Sequence, residues 1–206
     1  MTDSPAEDSR RKLVAGAADM IRRRGLAATS VRDLAKHARA PLGSTYHYFP
    51  GGKAELAAEA VALAGELTSA HLTRELRRGP VEGLRSFLRM WRKNLVDSDF
   101  RAGCPILAVS VEDVPEAEGA ARTAAAAAFT GWIEILTASL REHGADAATA
   151  ERTATLIVAA FEGSVAMCRA ERDTAALDCI AEQLDLLVRS AIAPDPSVPH
   201  RRSTAP

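Results

Sequence analysis

Aromatic residues are scarce in this chain. Its 206 residues include 2 Trp, 2 Tyr and 5 Phe, 4% in all, so the places where they gather carry information. Cysteine is scarcer still. Cys104, Cys168 and Cys179 are odd in number and have neither CxxC nor metal-ligand spacing. That excludes a disulfide scaffold and points to a reduced, cytoplasmic protein. The N-terminus "MTDSPAEDSRRK" is acidic and polar, unlike a signal peptide. The longest apolar stretches fall short of a membrane span, so no membrane partner is expected. Catalytic signatures are also missing. There is no GxSxG, P-loop, HExxH or Glu-x-x-His pair, and His37, His47, His71, His143 and His200 are scattered. The expectation is a protein that is no enzyme, with no cofactor and no metal site.

Net charge is only -1, which argues against a generic polyanion binder. Its distribution says more. Residues 1–53 hold ten Lys/Arg against five Asp/Glu, a balance of +5, and the rest holds 16 against 22, a balance of -6. A basic end on an acidic body suggests an anionic partner for the N-terminus.

Helical periodicity dominates and no alternating strand is convincing, so the fold class is all-α. Ser4-Pro5-Ala6-Glu7 signals the first helix, with Asp8 or Ser9 as other caps, and Gly25 ends it. Ser30 caps a short second helix that turns Val31, Leu34, Ala35 and Ala38 inward. After "RAPLG", "STYHYF" forms a third short helix starting near Pro41, and "PGGK" breaks it. A longer helix runs to about Arg78 with Leu56, Ala60, Leu63, Leu67 and His71 as its stripe. The next starts at Gly79-Pro80 and carries Leu84, Leu88, Trp91 and Leu95. A short one lies between Gly103 and Pro115. Another places Ala121, Ala125, Ala128, Trp132, Ile135 and Leu140 together and ends at Gly144. The last two run from about Asp146 to Arg172 and from Thr174 to Ala193. The predicted organisation is three short helices in a basic head, residues 1–52, and about six longer ones in a body, residues 53–193. Residues 194–206, rich in Pro, are expected to be disordered.

Both tyrosines fall within "TYHYF", residues 45–49. A short capped helix, a tight turn and a second short helix make a helix-turn-helix unit. Near the start of its second helix, Gly43 lets backbone approach a phosphate or base edge. Ser44, Thr45, Tyr46 and His47 offer short or flat polar groups for phosphates and bases. Tyr48 shares that helix, Phe49 anchors it in the core, and Lys53 adds a positive charge. Ser30 and Arg39 flank the turn and complete the candidate contacts to double-stranded operator DNA. Leu42 either packs on a thymine methyl group or is tucked against the second helix.

The stretch "TSVRDLAKHARAPLGSTYHYFPGGKAEL" resembles the DNA-binding signature of tetracycline-repressor-type (TetR-family) regulators, a likeness that covers roughly residues 9–57. "GCPILAVSVED", "FTGWIEIL" and "AAFEGSVAMCRA" are similar to the LmrA-like subgroup of drug- and flavonoid-responsive repressors. The resemblance implies an all-helical homodimer that binds palindromic operator DNA and releases it on binding a small molecule. It also implies DNA contacts at Gly43, Ser44, Tyr46, His47 and Lys53, and a partly buried Thr45. Three departures stand out. Arg39 replaces the usual turn glycine and would be strained at positive φ. Leu42 replaces a commonly polar residue. "PGGK" is one residue longer than the usual link.

Candidate walls for a small apolar or aromatic effector are Met90, Trp91, Phe100, Cys104, Phe129, Trp132, Phe161, Glu162, Met167 and Cys168. Each aromatic among them fits plain core better than a ligand wall and Cys104 fits a small buried helix-start residue better than a reactive thiol, while Glu162 fits a solvated face equally well. Ile157, Phe161, Val165, Leu177, Ile180, Leu184, Leu187 and Val188 are the candidate homodimer interface, and Ala159, Ala160, Gly163 and Ala166 would permit close helix approach. The competing expectation is a helical DNA-binding activator or architectural protein with no effector.

Overall fold

A computed structural model describes residues 5–113 and 119–193. Ser4, Pro115 and the 194–206 tail, each assigned a role from sequence, lie outside the described residues. The described residues form nine helices and no strand: α1 Pro5–Arg24, α2 Val31–His37, α3 Leu42–Tyr48, α4 Gly52–Leu76, α5 Pro80–Asp97, α6 Pro105–Val111, α7 Gly119–Glu142, α8 Ala147–Glu171 and α9 Ala175–Ile192.

The helix ends follow local chemistry. Gly25 ends α1 with φ +80°. The Ser30 side chain accepts from the Asp33 N–H, capping α2. Asp146 does the same for α8, accepting from Ala148 and Thr149. Pro41 precedes α3 with ψ 138°, so it is the extended cap residue rather than the first helical one. The head is not built of three short helices, because α1 has 20 residues. Leu13, Val14, Ala17, Met20 and Ile21 of α1 meet Leu26, Leu34, Ala35 and Phe49 in the head's buried core. Each large side chain buried there contributes on the order of 2 kcal/mol.

The head is not set apart from the body. α4 packs on α1 as well as on α5 and α7, while α8 lies between α7 and α9. The buried stripe of α4 is Leu56, Ala57, Ala60, Val61, Gly65, Leu72, Glu75 and Leu76. Leu67, expected in it, is 63% exposed. The stripe runs through Gly65 instead because α7 crosses there; a Cβ on Gly65 would stand 2.9 Å from the Ala128 Cβ. On α7 the inward residue is Leu136, and Ile135 is half-buried. By length and composition alone, α7 and α8 are apolar enough to cross a membrane, contrary to the sequence expectation. Their alanine-rich runs raise the hydropathy, and Trp132, Leu136, Ile157 and Phe161 turn into the bundle.

Candidate nucleic-acid interface and interior cleft

α3 shows two different sides. Leu42, Gly43, Tyr46 and His47 are exposed on it. Leu42 and Tyr46, one turn apart, share a face, and Tyr46 is 54% exposed. A Cβ on Gly43 would meet nothing within 4 Å, so the backbone there is open to approach. Tyr48 is half-buried against the core, and its ring meets that of His47 edge-on at 5.4 Å. Ser44 lies on the same helix. Thr45 does not belong to the surface. It is 0% exposed and its hydroxyl donates to the Pro41 carbonyl at 3.4 Å, so this candidate contact is a packing residue that closes the first turn. Phe49 is fully buried, with the Arg10 guanidinium 4.9 Å above its ring and paired with Glu59. Arg10 therefore ties α1, the end of α3 and α4 together.

Ser30 is occupied as a cap, and its hydroxyl also meets the Asp33 carboxylate at 2.6 Å. Arg39 is exposed at φ +55°, the strained conformation anticipated from the missing glycine. Its N–H donates to Lys36 O and that of Ala40 to Ala35 O, a left-handed stop to α2. The long link places its positive φ at Gly52, +66°, and sets Lys53 in the first turn of α4.

Three body residues, in contacts that sequence reasoning overlooked, grip the head. The Glu112 carboxylate, just past α6, accepts from the Leu26 N–H at 2.8 Å and the Ala27 N–H at 2.7 Å. A Cβ on Gly25 would fall 2.0 Å from a Glu112 oxygen, so Gly25 provides the space as well as the turn. Arg169 of α8 donates to the Arg23 carbonyl at 3.2 Å, and the Gly103 N–H donates to Arg22 O at 2.9 Å. The C-terminus of α1 is thus finished by groups from the body. Glu112 is 86 residues from Leu26, and no local pattern signals the pair.

In the body, the aromatics pack on one another. Phe87 meets Phe161 at 5.3 Å, Trp91 meets Phe161 at 5.0 Å, and Phe129 meets Trp132 at 5.6 Å. Phe87 was legible, since it shares the apolar face of Leu84, Leu88 and Trp91. A cleft between α4, α5, α7 and α8 is lined by Leu72, Leu84, Phe87, Trp132, Leu136, Ile157, Val158 and Phe161. Its free space is only about 10 Å³, no more than about one water molecule needs. Trp132 also braces the bundle. Its indole N–H donates to Gly65 O at 3.3 Å and ties α7 to α4.

Glu162 is on no solvated face. It is 4% exposed, one turn beyond Val158 of the cleft, and neither carboxylate oxygen has a hydrogen-bond partner. Burial raises its pKa to about 7; the nearby Cys104 thiol opposes this only weakly. Cys104 is itself buried at the cap of α6, and burial, reinforced by Glu162, pushes its thiol well above the usual range. It is no reactive thiolate. Trp91 Nε1 and His71 Nε2 are also buried without partners.

The other effector candidates lie elsewhere. Met90 and Phe100 are half-buried at the core's edge, and Met90 Sδ accepts from Asn94 at 2.9 Å. Met167 is 51% exposed on the outer face of α8. Cys168 is buried at the α8–α9 contact. The expected dimer residues need correcting too. Ile157, Phe161, Val165, Leu177, Leu184 and Val188 are all buried within the protomer, because they face the neighbouring helices of their own chain. Ile180 and Leu187 are half-buried. The outer face of α8 instead carries Leu156, Ala159, Gly163, Ala166 and Met167, all exposed.

Known proteins share both parts of this architecture. Residues 13–60 match the family described as "Bacterial regulatory proteins, tetR family". Residues 80–183 match "Transcriptional regulator LmrA/YxaF-like, C-terminal domain". The chain is 39% identical over 179 residues to the uncharacterized HTH-type transcriptional regulator Rv0196 of Mycobacterium tuberculosis, covering 85% of this chain and 91% of that protein. It is 30% identical to YxaF of Bacillus subtilis, over 88% and 96% of the two chains. Identity with the HTH-type transcriptional regulator LmrA of the same organism is 28%, over 88% and 98%. The regulatory protein TetR from Rhodobacter sphaeroides shares the fold at a TM-score of 0.78 and 21% identity, over 87% of this chain and 98% of that one. With a helix-turn-helix head and an LmrA/YxaF-like body on one chain, the protein belongs to the TetR family of bacterial transcriptional regulators.

Proposed function

We propose that the chain is a cytoplasmic repressor that binds palindromic operator DNA as a homodimer and releases it when a small, mostly apolar effector enters the body. One observation carries the DNA reading: the outward side of α3 collects Leu42, Gly43, Tyr46 and His47 around an open backbone in a basic head. Ser44, Tyr48 at the edge, Ser30 and Arg39 at the turn and Lys53 complete the contact surface. Tyr46 and Lys53 bind the phosphate backbone and set register, while Leu42 reads a thymine methyl group. The exposure of Leu42, 37%, favours that role over one tucked against α2.

One recognition helix reads few base pairs, so two copies are needed. The outer face of α8, with Leu156, Ala159, Gly163 and Met167, joins Ile180 and Leu187 of α9 against a second copy. Paired heads grip one face of DNA when their recognition helices are about 34–36 Å apart. An effector that opens the cleft pushes on Trp132 and therefore on α4 at Gly65. It also disturbs α6, whose far end carries the Glu112 grip on the head. Either shift changes the spacing, and linkage requires operator to weaken effector binding by the same factor.

The closed cleft favours a second reading, an activator or architectural protein without an effector. A thermal-shift screen with small aromatic compounds separates the two, because only a receptor is stabilised by ligand. For the DNA surface, Lys53→Ala is expected to flatten the slope of log affinity against log salt by about one unit. An unchanged slope in a fluorescence-anisotropy titration rules out a phosphate contact by Lys53.

A further inference from the structure

Glu162 is a buried acid that the fold does not use. It caps no helix, pairs with no cation among the described residues, and has as its one polar neighbour the weakly donating Cys104 thiol at the cap of α6. A polar group left in this state costs stability, and a carboxylate costs more than a neutral group. Its surroundings are specific. Phe161, the preceding residue, presents its ring to Trp91 at 5.0 Å and to Phe87 at 5.3 Å. Val158, one turn back, lines the interior cleft. The Cys104 thiol beside it is protonated and a weak donor. Arg169, two turns along the same helix, spends its Nη2 on the carbonyls of Arg23 and Arg101. His71, which faces Phe87, is held toward its neutral form by burial and by Arg74. One uncompensated acid thus lies a turn from the cleft wall at Val158, on the helix whose Phe161 packs with Phe87 and Trp91, and no cation among the described residues answers it.

We propose that the effector is a lipophilic amine, whose cationic nitrogen pairs with Glu162 while its apolar body lies among Phe87, Trp91 and Phe161. This rests on the reading of the cleft as the effector site. A cation gains from a desolvated carboxylate through a charge-assisted hydrogen bond and from aromatic faces through their quadrupoles. The same two features reject anions, and they discriminate against neutral ligands, which leave the acid unpaired. Burial holds Glu162 near pKa 7, so the empty site keeps a proton part of the time and releases it to solvent when the ammonium group arrives.

The test uses two probes of matched shape, 4-phenylbutylamine and 4-phenyl-1-butanol, titrated calorimetrically at pH 7.5 into the full-length protein and into Glu162→Gln. Circular dichroism establishes that the variant is folded. The wild type is expected to bind the amine about tenfold or more tighter than the alcohol. In Glu162→Gln the preference disappears and alcohol affinity is retained. Equal affinities in the wild type, or an amine preference that survives in Glu162→Gln, overturn the amine inference and leave the cleft standing. Binding of neither probe to the wild type overturns the cleft reading and the inference together.

Discussion

Head and body use their few aromatic residues in opposite ways. In the head, Tyr46 and His47 stand out from α3 and only Phe49 is fully buried. In the body, Trp91, Trp132, Phe87 and Phe161 all turn inward and pack ring against ring. A short helix on a small core has room to bury one side only, so its other side is free for recognition. The body's long helices bury broad faces, and its rings are spent on packing between them. The two regions also differ in how they are held. The head is finished by groups that the body supplies, Glu112, Arg169 and Gly103, whereas α8 in the body is capped locally by Asp146.

The sharpest way to break this comparison is to separate the two copies of the proposed homodimer without unfolding either region. Gly163 is exposed, and a Cβ there meets nothing within the protomer. Gly163→Leu should preserve or slightly raise helix stability. It should nevertheless give monomers by light scattering and weaken operator binding by about a hundredfold or more, as bivalency is lost. A dimeric Gly163→Leu protein moves the interface away from this face of α8.

Next in size is the body's buried acid. The folded pKa of Glu162, about 7, lies above the ordinary value of 4.5. The folded state therefore holds this proton more tightly than the unfolded one. Its contribution is complete below about pH 4.5 and is lost as pH rises through about 7. Glu162→Gln should be more stable than the wild type at pH 8 by on the order of 3 kcal/mol, and no more stable near pH 4. Urea melts at the two pH values decide it. A pH-independent difference would place the carboxyl in contact with water.

The link between the regions is tested at Glu112. Removing its carboxylate in Glu112→Ala leaves two N–H groups without their acceptor, a cost of about 1.5–3 kcal/mol. The loss should fall on the head. Amide exchange at Leu26 and Ala27 should quicken while amides in α8 keep their protection. Uniform quickening would instead mean that head and body unfold as one unit. The smallest effect is expected at Arg39. Its φ of +55° suits glycine, so Arg39→Gly should stabilise the head by roughly 0.5–1 kcal/mol in a thermal melt.

Much of the head was legible because its signals are local. Ser30 caps α2 three residues from its partner, Gly25 stops α1, and the missing turn glycine pointed to the left-handed position at Arg39. Thr45 was harder. It lies between exposed Gly43 and Tyr46, and only the packing of α3 on the head decides that its side is the inner one. The body was legible in helix number and order, but less so in orientation. On α4 a stripe through Leu63 and Leu67 is as apolar as the one through Val61 and Gly65. The choice falls to the second because glycine lets α7 come close. On α8 both faces are apolar; Ile157, Phe161 and Val165 took the interior, while Leu156 and Met167 stayed outside beside Ala159, Gly163 and Ala166.

The sequence by itself determined the helices, most of their ends and the helix-turn-helix unit, since caps, turns and glycines act over a few residues and need no distant partner. Only the tertiary structure decided which side of α8 is core, that Glu162 is buried without a partner, and that Glu112 holds a loop 86 residues away. The reason is physical. Burial and long-range hydrogen bonds depend on which surfaces meet, and where two faces of a helix are equally apolar, packing against its neighbours makes the choice.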